Sequence, residues 1–417
     1  MIRGLGRPAL ALACAALALS GAAMLLLARS RGAMWAGEWA WSMDWVNGLP
    51  LAGGPFLAGV TATVVYRFRD LGLLELVGQT RRGRWLLPAL IGSALLGSLV
   101  AWALIGTGVL LMTAARSSLP VRHLEWLVLA PAALMGYAAV GTLVGRAVSR
   151  AWAAPLAFLT TFGLSYLAAG GSVPSLFRVG GSAGTLAGQT LSWQFAAWVV
   201  AVHAALAVLA LTALAITAPG RRGLRQGRLA LALAVVIALV VVAIAHPSPR
   251  LVFADNLAYT CAGRVVRTCM LDDTASSLPR VATVIDRYAA QLHQMGAQTP
   301  SRFVQSVPGQ QVASSDGVLA FGAQDVNSAA DIDSSGASLV TAPAPCPQYF
   351  GNQPPERALQ AQVVLEALLR YRVDPLRFPA PDGAVQMWFD TRGTAWAVAT
   401  YERMRSCDLV AIDVPAF

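Results

Sequence analysis

The stretch RDLGLLELVGQTRRGRW, Arg69 to Trp85, decides how the chain is read. It sets Arg69, Arg81, Arg82 and Arg84 around a short leucine-rich core, with long apolar runs on both sides. A compact basic segment between two apolar runs has the composition of a loop between two membrane spans. Within it, Asp70 is a candidate N-cap and Gly78 a candidate stop. Leu71, Leu74 and Val77 then share one face of about two helical turns, widened by Leu73 and Leu76. So short a helix is marginal alone and needs a surface to dock on. Lipid headgroups, the chain's own bundle and a soluble partner all qualify.

Composition agrees with a membrane reading. The 417 residues are 56% hydrophobic and 12% charged, where soluble domains carry about 25% charge. Mean hydropathy is +0.57. All 31 Lys+Arg positions are arginine, which excludes a GxxxxGK[ST] phosphate loop and any Schiff-base lysine. Residues 1–249 hold 18 arginines against five acids: Glu38, Asp44, Asp70, Glu75 and Glu125. Residues 250–417 hold 13 arginines against 16 acids. A pI near 10.0 would suit a nucleic-acid binder. The basic excess sits in short loops, however, so membrane orientation accounts for it and no nucleic-acid partner is expected.

A span needs about 20 mainly apolar residues. Seven candidates run near 8–28, 49–66, 85–113, 124–145, 152–170, 193–216 and 229–245. The first follows Arg3 and Arg7 as a signal peptide would, but its apolar run exceeds the usual h-region, so it reads as an uncleaved helix. With the N-terminus inside, 13 arginines fall in cytoplasmic pieces and five in external loops (Arg29, Arg31, Arg116, Arg122 and Arg178). Seven spans then leave the tail outside. Four of the five cysteines, Cys261, Cys269, Cys346 and Cys407, lie in that tail, as an oxidising compartment would favour. Four cysteines allow three connectivities. Proximity and order favour Cys261 with Cys269 and Cys346 with Cys407. The fold class expected is mainly α: a polytopic helix bundle of about seven spans, N-in and C-out, plus a small extracytoplasmic α+β domain. The divisions are 1–220 for a six-helix membrane domain, 221–249 for a further span and 250–417 for the tail.

The stretch 69–85 is similar to the cytoplasmic segment of type-2 ABC-exporter permeases. Gly72, Leu74, Glu75 and Leu76 match that family's Gly-Thr-Leu-Glu-Leu-Leu motif, with Leu73 in place of Thr and Val77 in place of the last Leu. Arg81, Arg82 and Arg84 precede the third span, as in the family, and the likeness covers about residues 1–220. It implies a coupling helix that docks on a separate ATPase subunit. Leu74 and Leu76 would be its apolar anchors, Arg69 and Glu75 would fix its register through charge, and Asp70 belongs to the same coupling stretch. It also implies a second permease subunit, identical or different, and residence in the plasma membrane. No cofactor and no metal site are expected. The competing reading is a non-transporting membrane sensor or immunity protein whose external domain binds a ligand. A membrane-bound enzyme with an unrecognised external site is a third.

Three other features stand out. His203 lies mid-span in AAWVVAVHAALAVL, where an ionisable group is either functional or a neutral, hydrogen-bonded structural histidine. Trp35, Trp39, Trp41 and Trp45 suggest a helix lying at the membrane interface. Gly141 and Gly145 have the spacing of close helix packing. In the tail, 276–296 reads as a helix with Ser277 near the cap and Gly296 as the stop. PERALQAQVVLEALLRY and TAWAVATYERMRS read as further helices. VVRTCML, GVLAFG and AVQMWF read as strands, and 309–345 as a long loop. Asp272 and Asp273 read as a solvated acidic turn, since no EF-type loop surrounds them.

Overall fold

The computed structural model describes the chain except residues 1, 31, 34, 75–82, 118, 149–151, 170–177, 183, 216–232, 238–239, 242–248, 255, 308–315, 320–328, 342–354 and 416–417. It divides into two compact units. One comprises Met1–Ala115, Pro120–Ala183 and Gln189–Ala254; the other comprises Arg116–Leu119, Gly184–Gly188 and Asp255–Phe417.

The first unit is a helix bundle: α1 (Ile2–Arg29), α2 (Trp39–Gly48), α3 (Pro50–Asp70), α4 (Leu86–Ala114), α5 (Leu129–Ala147), α6 (Ala153–Ala169) and α7 (Trp193–Ala215). Among the described residues, five helical runs are apolar and long enough to cross a bilayer: Arg7–Arg29, Trp39–Asp70, Leu86–Ala114, Leu124–Ala147 and Trp193–Ala215. The chain is a membrane protein on that ground. The fifth expected span, 152–170, forms the 17-residue helix α6. The seventh, 229–245, lies mostly outside the described residues.

The expected second span, 49–66, is longer in the structure. Leu49 keeps helical backbone angles between α2 and α3, so 32 residues from Trp39 to Asp70 form one run. Its contour is about 48 Å at ~1.5 Å per residue, against about 30 Å of hydrocarbon. Pro50 contributes no N–H, so the hydrogen-bond ladder thins at that joint.

α3 is central and packs on α1, α5 and α6. Helices in lipid gain little from hydrophobicity and associate through close packing and hydrogen bonds. Both are visible here. A Cβ on Gly141 would stand 2.2 Å from the Ala58 carbonyl oxygen, and one on Gly145 would stand 2.5 Å from that of Ala62. The pair expected to allow close packing therefore seats α5 on the backbone of α3. Ser20 on α1 donates to the Gly53 carbonyl at 3.0 Å and meets Ser98 of α4 at 3.0 Å. The Tyr137 hydroxyl meets Ser165 at 2.6 Å, joining α5 to α6.

The second unit holds a four-stranded sheet in the order β3-β4-β5-β6. β3 (Tyr259–Ala262) pairs antiparallel with β4 (Arg267–Leu271); β5 (Arg302–Gln305) and β6 (Gly317–Leu319) continue parallel. The amphipathic helix α8 (Leu278–Met295) makes the crossover, and Val281, Val284, Ile285, Tyr288 and Leu292 are all buried, as expected. Gly296 ends it in the left-handed region at φ +95°, as expected. Ser277 makes no side-chain capping bond to the helix; Pro279 stands in its first turn, with φ already set for a helix. α10 (Glu356–Val373) and α12 (Gly393–Arg405) match the two other expected helices.

Two expectations for this unit fail. AVQMWF is not a strand but lies in α11 (Gly383–Thr391). Asp382 caps it by accepting from the Val385 N–H at 2.8 Å, and Val385 and Phe389 bury one helical face. The stretch 309–345 is not all loop: α9 (Ala329–Thr341) lies inside it. Its serines and glycine hid an apolar face of Ile332, Leu339 and Val340, and Gly336 lets it sit against Val284 and Tyr288 of α8.

Candidate functional site

Two ends of the α2–α3 run carry the polar groups of interest. At the C-terminal end, Asp70 is the last residue of α3 rather than the N-cap of a new helix. Helix α3 was expected to stop before it. Instead the backbone turns at Gly72, whose φ of +67° a β-carbon would disfavour. Helical backbone resumes at Leu73 and Leu74, and Glu75 and Leu76 lie outside the described residues. Arg69 donates through Nη1 to the Arg146 carbonyl at 2.8 Å, which fastens α3 to the end of α5. Leu74, expected from the resemblance to anchor the ATPase, is instead buried in a cluster with Val64, Val65, Leu87, Leu90 and Leu214, because its own bundle offers it an apolar seat. Leu71 and Trp85, which flank this stretch, are exposed, at 68% and 73%.

At the other end, α2 is buried along its whole length. The tryptophans expected at the membrane interface, Trp35, Trp39, Trp41 and Trp45, are 2–3% exposed. The correction has a physical cause: the polar residues of this helix find partners inside the bundle. Ser42 Oγ meets Thr113 Oγ1 at 2.5 Å. Asn47 Nδ2 donates to the Trp126 carbonyl at 2.9 Å. Trp102 Nε1 reaches in to the Val46 carbonyl at 3.1 Å.

The charged group on this helix, Asp44, is fully buried. Arg250 donates through Nη1 to Asp44 Oδ1 and through Nη2 to Ser182 Oγ. The Ser182 N–H donates to Asp44 Oδ2 at 2.7 Å. The Gly181 N–H donates to the Asp44 carbonyl at 3.1 Å, and Trp41 Nε1 to the Ser182 carbonyl at 3.1 Å. Segment 178–182 thus lies directly on α2, and a Cβ on Gly180 would fall 2.2 Å from the Asp44 carbonyl oxygen. Next to it, β1 (Gln189–Leu191) pairs antiparallel with β2 (Leu251–Phe253). Burial pulls the Arg250 guanidinium down to about 10, still far above neutrality, so it meets Asp44 as a cation.

Reading the residues in order missed this cluster. In sequence, Asp44 is one of five acids in residues 1–249 and Arg250 one of 13 arginines in 250–417. The available signal was an acid inside an apolar, tryptophan-rich run, where an ionised group needs a partner.

His203 is buried on α7 against Gly136, and its Nδ1 donates to the Val199 carbonyl one turn back at 2.7 Å. That is a structural bond within its own helix. Cys261 and Cys269 form the expected disulfide between directly opposed residues of β3 and β4. Cys407 is disulfide-bonded as well, while Cys346 lies outside the described residues. Asp272 and Asp273 are not simply solvated. They accept from Thr260 Oγ1 at 2.7 Å and from the Gly188 N–H at 3.3 Å. The sequence matches no family model, no curated protein and no solved structure.

Proposed function

We propose that the chain is the membrane-spanning subunit of a type-2 ABC exporter, driven by a separate ATPase that docks at the Arg69 end. The observation that carries this reading is the seating of the connector. Leu74 shares one buried apolar cluster with residues of α3, α4 and α7, so a push on the connector bears on that cluster. ATP-driven closure can move a bundle only through a rigid contact with two packings. Leu71 stays exposed beside this anchor and offers a docking partner an apolar contact.

In this reading the N-terminus and the Arg69 end face the cytoplasm, seven spans cross the plasma membrane, and the disulfide-stapled tail is extracytoplasmic. The arginine bias supports that orientation. Exposed tryptophans support a bilayer between the two ends: Trp85 and Trp152 precede α4 and α6, and Trp193 begins α7. A second permease subunit completes the translocation path.

Co-purification with an ATPase encoded beside this chain tests the reading. Leu71→Asp/Glu75→Arg is expected to cut ATPase retention at least ~10-fold, the equivalent of about 1.4 kcal/mol. Unchanged retention removes the coupling role. Leu74→Asp is a poor probe, because it disrupts the bundle's own packing.

A further inference from the structure

We infer that Asp44, Arg250 and Ser182 form a releasable latch that holds α2 in place and connects it to the tail. The latch stands whether or not an ATPase drives the bundle. Four observations converge on it. Asp44 has both carboxylate oxygens occupied, one by Arg250 and one by the Ser182 N–H. Arg250 bridges two separate pieces of chain, α2 and segment 178–182. It also directly precedes β2, and its own carbonyl accepts from the Ser192 N–H at 3.0 Å. Finally, the ladder thins at Leu49–Pro50, four residues past the last tryptophan of α2, where a pivot would need it.

The physics favours a latch over a staple. A buried ion pair adds little net stability compared with apolar residues of the same size. Removing one partner is costly, because the other charge is then stranded. The arrangement is therefore all-or-none. Beyond Arg250 the chain is held only thinly, by a ribbon of three residues per strand whose Val252 and Phe253 are exposed. Phe253 leads within a few residues into the tail unit. Tension in the tail thus reaches Arg250 along the chain through β2. Release would let α2 pivot at Leu49–Pro50 and carry Trp39, Trp41 and Trp45 with it.

Hydrogen–deuterium exchange on the full chain in lipid nanodiscs tests this. In Arg250→Ala, exchange in 178–182 and 251–253 is expected to rise at least ~10-fold, and in 39–48 at least ~3-fold, with 56–70 and 129–147 unchanged. Wild-type protection in 39–48 would overturn the latch. A rise extending through 56–70 would also overturn it, since the pair would then be holding the whole bundle. Arg250→Lys keeps the charge but not the fork that reaches Ser182. It covers the case in which the alanine variant fails to insert: a rise of at least ~3-fold confined to 178–182 and 39–48 supports the latch, and no rise sinks it.

Discussion

At the residue scale, shape and hydrogen bonding decide more than polarity does. Gly141 and Gly145 face the α3 backbone, whereas a Cβ on Gly92 would meet nothing within 4 Å. Gly141→Val is expected to destabilise the bundle by about 1–3 kcal/mol through overpacking. Gly92→Ala should leave it unchanged or slightly more stable; thermal unfolding in one detergent compares the two. In the tail, Asp286 accepts from the N–H groups of Arg264, Val265 and Val266 at 2.7–3.1 Å and so holds the β3–β4 turn. Asp286→Ala should cost about 1 kcal/mol or more, read as a lower Tm. Burial raises the Glu366 carboxyl above its ordinary range, against the opposing pull of Arg370. A raised carboxyl destabilises the fold only where it is ionised. Glu366→Gln should therefore raise Tm at pH 8 and leave it unchanged at pH 4. An equal gain at both values would show that charge is not the cause.

At the element scale, the legible pieces were those with a period. α8 presents its apolar residues at helical spacing with a glycine stop, and the structure follows that pattern. α11 was misread because its six central residues alternate as well as they spiral; the Asp382 cap settles the matter. α9 was missed because small residues supply its packing face, and only α8 opposite makes that face visible. The α2–α3 run was cut at Leu49 because proline and tryptophan both suggest a boundary, yet Pro50 occupies a first-turn position where it is tolerated. The β3–β4 hairpin carries a second, covalent tie. Cys261→Ser/Cys269→Ser should lower stability by about 2 kcal/mol, given the short loop that the bond closes. Differential scanning calorimetry of the full chain measures it.

At the scale of the whole molecule, a bundle of apolar helices and a mixed-sheet unit share one chain, and Arg250 stands a few residues before the last passage from the first to the second. The proposed topology makes a direct prediction in a Cys14→Ala background. A cysteine at Leu376, which is 96% exposed, should react with a membrane-impermeant maleimide in intact cells. A cysteine at Leu71 should react only after the membrane is opened. The reverse pattern would invert the bundle and place the proposed ATPase contact on the wrong side.

The sequence by itself determined the solvent of each region. Apolar runs about 20 residues long need a bilayer, and amphipathic spacing in the tail marks a water-facing fold. Only the tertiary structure decided which faces meet. Helices such as α4 and α7 are apolar all round, so no moment distinguishes a lipid-facing side from a packed one. The choice falls to glycine clearances and a few hydrogen bonds, which have no period. Asp44 and Arg250 lie 206 residues apart, and nothing local to either residue foretells the other.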